Sequence, residues 1–244
     1  LQTPFGEITL ARARTAGELT LIGPRTVGQL QHVITALEAL GPDLVLIDGS
    51  IDRRAFAKPG VADGIILVVG AAGSRDLAAV VGEAARTIRL LRLPSAEDAR
   101  GEAQTTISAL DDEGRWRALP YASALGNEAA LAAVLGGMNA RALRCPGAVT
   151  GALLRALAEL MGSQAGGLGL QLRVEDGTKV FASSADLGLF DRAGGQLVAR
   201  RALRLVGVAF NPCSPEGYRL PATEMREQLQ GLVPDLPVFD AMQD

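Results

Sequence analysis

The stretch "GIILVVGAAGSRDLAAVVGEAARTIRLLRL", residues 64–93, decides the fold class. It opens with a run of aliphatic residues that is too short for a helix, which is typical of a parallel strand covered on both faces. The remainder, from Ser74 to a stop at Pro94, has apolar residues at helical spacing and predicts an amphipathic helix. A buried strand followed by a helix indicates an α/β protein with a parallel sheet.

The same alternation extends to both sides of this stretch. Thr26 and Gln29 have capping-box spacing and predict a helix that Gly41-Pro42 stops. The run "DLVLID", residues 43–48, predicts another buried parallel strand. The other predicted elements are the short strands "GEITLARA" (6–13) and "GELTLIG" (17–23), the strand "LRLVGVAF" (203–210), the helix "ATEMREQLQGLV" (222–233) and the strand "LPVFD" (236–240).

The middle of the chain predicts hairpins added to this pattern. One, within residues 105–120, is expected to turn at Asp111–Gly114, and another, within residues 169–183, at Asp176-Gly177. We therefore expect an α/β fold with a mainly parallel sheet flanked by helices and hairpin additions in the middle.

The domain organisation is predicted to be simple. No repeat and no linker-like composition divides the chain, so residues 1–244 are expected to form a single α/β domain. Residues 98–140 are a candidate insertion or connection. Because the chain begins with Leu1 rather than Met, it is also compatible with the C-terminal part of a longer chain.

The amino-acid composition and net charge exclude several classes of function. The net charge of −3 argues against a dedicated nucleic-acid binder, and no apolar run is long enough to predict a membrane span. Cys145 and Cys213 are expected to be buried free thiols, and the lone His32 argues against a zinc site. We therefore predict a cytoplasmic protein that binds neither nucleic acid nor membrane.

Asp48 is the first candidate site residue. It ends a predicted strand, and ligands of open parallel sheets bind beyond the carboxyl ends of strands, where a carboxylate can hold Mg²⁺. The alternative is that Asp48 and Gly49 form an ordinary turn after the strand. Arg53 and Arg54 follow closely and are candidate phosphate contacts, or else part of a solvated charge cluster.

Asn211 is the second candidate. It follows the predicted strand over residues 203–210, and its side-chain amide can both donate and accept hydrogen bonds, as the edge of an adenine requires. The alternative is that Asn211 orders the following loop through its own backbone. No complete phosphate-binding glycine loop and no Gly-x-Ser-x-Gly motif occurs. Catalytic residues are therefore unassigned, and whether the chain is an enzyme is left open.

Four segments together resemble P-loop NTPases of the dethiobiotin synthetase, cobyrinate amidase and MinD-like group. These segments are "DLVLIDGS", "ADGIILVVGAAG", "LVGVAFNP" and "LVPDLPVFD". The resemblance implies ATP and Mg²⁺ as ligands, with Asp48 near the metal and Asn211 against the base. The group's glycine-rich Walker A loop has no match between Leu1 and Asp48. This chain by itself is therefore expected to be catalytically incomplete, with an accessory or regulatory role.

A second resemblance, to accessory reactivating proteins of cobalamin-dependent aminomutases, rests on segments from "TPFGEITLARAR" to "NPCSPEGY". It implies a non-catalytic subunit that binds a partner enzyme and needs no nucleotide. The common cobalamin signature Asp-x-His-x-x-Gly is absent from the sequence. The two functions stand as alternatives, and the sequence leaves the oligomeric state open.

Overall fold

The structure of the chain is a computed structural model that describes residues 2–3, 6–18, 23–24, 26–48, 61–96, 105–163 and 169–243. The chain is α/β, with mainly parallel sheets flanked by helices, as the sequence predicts. It divides into two compact units, Leu1–Ala62 and Asp63–Asp244. Among the described residues, no helix combines the length and the apolar character needed to cross a membrane.

The first unit contains a short antiparallel pair and one helix. Strands β1 (Gln2–Thr3) and β2 (Gly6–Glu7) pair with each other. Helix α1 (Val27–Glu38) begins with the predicted capping box, in which the side chains of Thr26 and Gln29 each accept a hydrogen bond from the other's backbone N–H, at 3.2 and 3.3 Å. The strand predicted at residues 6–13 is limited to Gly6–Glu7, and part of residues 17–23 lies outside the described residues.

The predicted strand at residues 43–48 is wrong. These residues form neither helix nor strand, and the side chains of Leu44 and Leu46 are 71% and 78% exposed. An aliphatic run favours extended backbone, but a strand also needs a neighbour for its backbone hydrogen bonds. No described residue of the first unit supplies that neighbour. Asp48 therefore does not end a buried strand here.

The second unit contains a parallel sheet in the order β12-β11-β3. Its strands are β3 (Ile65–Gly70), β11 (Leu205–Asn211) and β12 (Val238–Asp240). Helices α2 (Leu77–Leu91) and α6 (Ala222–Leu232) pack on one face of it. The strand and helix predicted from residues 64–93 are thus confirmed, with Asp76 as the N-cap of α2.

A five-stranded sheet completes this unit, in the order β10-β8-β6-β4-β5. Its strands are β4 (Ser108–Leu110), β5 (Trp116–Ala118), β6 (Ala142–Cys145), β8 (Gln171–Val174) and β10 (Gln196–Ala199). Strands β6, β8 and β10 are parallel, and β4 is antiparallel to both β5 and β6. The helices α3 (Glu128–Gly137), α4 (Gly151–Ser163) and α5 (Ser184–Arg192) share a second apolar core with this sheet.

One predicted hairpin is confirmed and the other is wrong. The β4–β5 hairpin turns at Asp111, whose Oδ1 accepts a hydrogen bond from the Arg115 N–H at 2.7 Å. After β8, by contrast, the chain does not fold back onto it. Instead β9 (Val180–Phe181) forms a separate parallel pair with β7 (Val149–Thr150). The reason is a tertiary contact that places Gly177 directly on the backbone of Leu90 at the end of α2.

Candidate functional site

The carboxyl ends of the three strands β3, β11 and β12 lie at the same edge of their parallel sheet. Asn211, the last residue of the central strand β11, is opposite Gly70 of β3. On the other side Phe210 is opposite Asp240 of β12. This edge is where ligands of open parallel sheets bind. It is therefore the candidate functional site of the second unit.

Asn211 is held at this edge through its own side chain. Its Oδ1 accepts a hydrogen bond from the backbone N–H of Cys213 at 2.9 Å. Because side chains alternate along a strand, Asn211 shares a face with Val68 and Ala209, opposite the face that α2 and α6 cover. The loop-ordering role considered from the sequence is therefore present. Among the described residues, the amide NH₂ group has no hydrogen-bond partner.

The loop after Asn211 is tightly ordered. The Ser214 N–H donates to the Tyr218 carbonyl, and the Leu220 N–H donates to the Pro212 carbonyl, both at 2.9 Å. Gly217 makes the turn with a φ of +86°, a value that side chains disfavour. The loop therefore presents the Asn211 amide from a well-defined backbone.

A second loop, from Gly70 to Asp76, follows β3 and leads into α2. The Tyr218 hydroxyl donates a hydrogen bond to the Ala71 carbonyl and so ties the two loops together. The Asp76 side chain accepts a hydrogen bond from the Ala78 N–H at 3.0 Å and caps α2. The N-terminus of α2 therefore already has a carboxylate where a bound anion would otherwise be favoured.

Arg75 is the cation of this second loop. Its guanidinium carbon lies 4.9 Å from the centre of the Tyr218 ring, and its Nη2 lies 3.5 Å from Glu216 Oε2. Both side chains of the ion pair are largely exposed, so the pair contributes little to stability and can open for a ligand. Asp240, in contrast, is buried, and its Oδ1 accepts the Met242 N–H at 2.9 Å, which closes the end of β12.

Of the site residues predicted from the sequence, Asn211 lies at this edge. Asp48 belongs to the first unit, where it is exposed and lies outside any strand. Arg53 and Arg54 lie outside the described residues. Arg75 was not singled out from the sequence, although the glycine-containing segment between a strand and a helix was a signal for it.

The described residues fit a purine base better than a nucleotide's phosphates with Mg²⁺. The described residues of the edge offer a fixed amide donor, Arg75, and Arg219, which pairs with Cys213 in the loop after Asn211. They include no glycine-rich cradle, and the N-terminus of α2 is already capped. Across the described residues, no group of three or more His, Cys, Asp and Glu side chains could hold a metal ion.

Neither cysteine lies in an environment that would activate its thiol as a nucleophile at this edge. Both thiols are free, and Cys145 is buried in the core of the five-stranded sheet. Burial raises the pKa of the Cys145 thiol to about 11, so it stays protonated at neutral pH. The prediction of a buried free thiol is confirmed for Cys145, whereas Cys213 is only partly buried.

Comparison with known proteins adds no relative. A scan against protein-family models finds no match to the chain. Searches of the curated proteins and of the solved structures find no match either.

Proposed function

We propose that the chain binds a purine nucleotide, ATP with Mg²⁺, as an accessory or regulatory protein of the cytoplasm. One observation carries the proposal: the Asn211 amide lies at the carboxyl end of the central strand of a parallel sheet, with its oxygen held by a backbone N–H. A preorganised amide loses little side-chain freedom when a ligand binds, which favours affinity.

The chemistry of recognition follows from the amide. Its NH₂ group donates to a ring nitrogen of the base. The amide oxygen has two lone pairs, and Cys213 takes one, so the other can accept from an exocyclic amine. Together these two bonds match a base edge that carries both an acceptor and a donor, as the edge of adenine does.

In this proposal, arginines bind the phosphates of ATP and a carboxylate binds the Mg²⁺ ion. Arg75 is a cation at this edge of the sheet, and its exposed pairing with Glu216 can be exchanged for a phosphate. Arg53 and Arg54 as phosphate contacts, and Asp48 as the metal-side carboxylate, stay predictions from the sequence. Without a Walker A loop this chain is not expected to hydrolyse ATP efficiently, so the proposed role is binding.

Two variants of Asn211 test the proposal. Asn211→Asp keeps an oxygen for the Cys213 N–H but removes the NH₂ donor, whereas Asn211→Ala removes both. We would titrate MgATP, MgADP and uncharged adenosine by calorimetry, with Gln228→Ala as the control, because it removes an exposed amide from α6. We expect both Asn211 variants to lose about tenfold or more in adenosine affinity, and the control none. Equal adenosine binding by wild type and Asn211→Asp would reduce Asn211 to a loop cap.

The alternative, a partner-binding subunit that needs no nucleotide, is favoured by a different observation. Ile66 and Val68 of β3, an edge strand of the sheet formed by the described residues, are 49% and 65% exposed on the face opposite α2 and α6. Exposed neighbouring aliphatic side chains are typical of a surface that binds another protein. The partner proposed from the sequence is a cobalamin-dependent aminomutase.

The two functions predict opposite results in one assay. In a reactivation assay with such an enzyme, Val68→Ser should reduce the effect of the chain if docking is its function, whereas Asn211→Asp should not. The reverse result would support the nucleotide proposal and reject docking through β3.

A further inference from the structure

A cavity of about 440 Å³ lies in the second unit, away from the edge where Asn211 is found. It is bounded by the last turns of α2, by Leu93 and Pro94, by the end of α5, and by the first residues of β10. Its volume is within the range of pockets that hold small molecules. Neither Asn211 nor Arg75 lines it.

The floor of this cavity is aliphatic. Ile88, Leu93, Leu197 and Val198 line it, and each of them is buried in the folded chain. A ligand that covers these side chains removes further apolar surface from water, which favours binding. The small apolar surface that these side chains leave therefore favours contact with a small apolar group.

Two arginines line the cavity, and they differ in the number of hydrogen bonds that they make to a neighbouring carboxylate. Arg92 donates from both terminal nitrogens to the two carboxylate oxygens of Asp235, each at 2.8 Å. Arg89 makes a single bond, from Nη2 to Asp191 Oδ1 at 2.7 Å. Among the described residues, Arg89 makes this one hydrogen bond. Its Nε and Nη1 can therefore donate to a ligand.

We propose that this cavity binds a small apolar monocarboxylate, whose carboxylate is held by Arg89 and whose apolar body lies on the aliphatic floor. Guanidinium and carboxylate match in geometry and charge, which gives the strong class of hydrogen bond. Asp191 is the competing carboxylate. Because the Arg89–Asp191 pair is partly exposed, it contributes little to stability and yields to the ligand at small cost.

The experiment is a calorimetric titration of the full chain with phenylpropionate, with phenylpropionamide as the uncharged analogue. We expect the carboxylate to saturate one site and the amide to bind about tenfold more weakly. Arg89→Gln should lower carboxylate affinity to the level of the amide. Arg192→Gln, which removes an exposed arginine of α5 that does not line the cavity, should change nothing.

A variant of the competing residue keeps the test decisive even where Arg89→Gln perturbs folding. Asp191→Asn leaves the cavity intact and removes the internal competitor, so carboxylate affinity should rise. The proposal is overturned by an absence of saturable binding, by equal affinity for acid and amide, or by an Asp191→Asn variant that binds the acid more weakly. Equal carboxylate affinity in Arg89→Gln and Arg192→Gln also rejects it.

Discussion

Gly177→Ala tests how the turn after β8 meets the end of α2. A Cβ added to Gly177 would lie 1.8 Å from the Leu90 carbonyl oxygen and 2.6 Å from the carbonyl carbon. Both contacts are with backbone, so no side-chain rotation can relieve them. Leu90 also belongs to the core of the five-stranded sheet, and the next residue, Leu91, belongs to the core of the three-stranded sheet. The contact therefore lies where the two cores of this unit meet.

The magnitude follows from the required displacement. Cβ atoms essentially never approach such atoms closer than 3.0 Å, so turn and helix must separate by about 1.2 Å from the 1.8 Å contact. Overpacking typically lowers the free energy of unfolding by about 1–3 kcal/mol, and the rigid partner places this variant near the upper end, about 3 kcal/mol. Urea denaturation followed by circular dichroism measures the loss as a lower midpoint.

Gly82→Ala is the control, since it adds the same methyl group to α2, the helix that Gly177 contacts, at a position with free space. Apart from the backbone of α2 itself, no atom of the described residues lies within 4 Å of a Cβ added to Gly82. Alanine should therefore raise the free energy of unfolding by about 0.5–1 kcal/mol through its better helix propensity. The reasoning is refuted if Gly177→Ala unfolds within about 0.5 kcal/mol of wild type, because the close contact with Leu90 would then not exist in solution.

Two further predictions concern ionisable groups. The Arg200 hydrogen bonds, at 2.7 Å, hold the pKa of Glu175 below its ordinary value. The carboxylate therefore adds stability that is present above its unfolded pKa and lost as the pH falls through its folded pKa. In urea titrations, the stability difference between wild type and Glu175→Gln should be largest near neutral pH and shrink in acid; a constant difference would contradict this. The raised pKa of Cys145 predicts that a colorimetric disulfide reagent labels Cys213 first in the folded chain, and that Cys213→Ser removes the fast phase. Fast labelling that persists in Cys213→Ser would count against the burial of Cys145.

The elements that could be predicted are those whose pattern is local. Residues 64–93 carry an uninterrupted aliphatic run and then an amphipathic run before Pro94, and both elements form, although the helix begins at Leu77 rather than at the predicted Ser74. The end of β11 at Asn211 followed equally from an apolar run that meets a proline. In each case the periodicity and the terminators are contained in one short segment.

The failures are cases in which a distant neighbour decides the structure. Residues 43–48 have the composition of a strand, but composition does not supply the neighbouring backbone that a strand requires. Asp176-Gly177 has the sequence of a hairpin turn, yet Leu90, far away in the chain, is the contact that the glycine serves. The edge around Asn211 gathers Arg75 from a segment well over a hundred residues upstream. No pattern within one short segment predicts that Asn211 and Arg75 lie at the same edge of the sheet.

Helix α2 separates the two proposed binding sites and makes their tests independent. Its N-terminus follows the loop at the Asn211 edge, and its last turn lines the cavity. Fifteen residues of helix span about 22 Å, well beyond the separation at which substitutions usually couple. Each variant therefore controls for the other, because Arg89→Gln leaves the nucleotide edge unchanged and Asn211→Asp leaves the cavity unchanged. A loss of both ligands in either variant would indicate damage to the second unit rather than to a site.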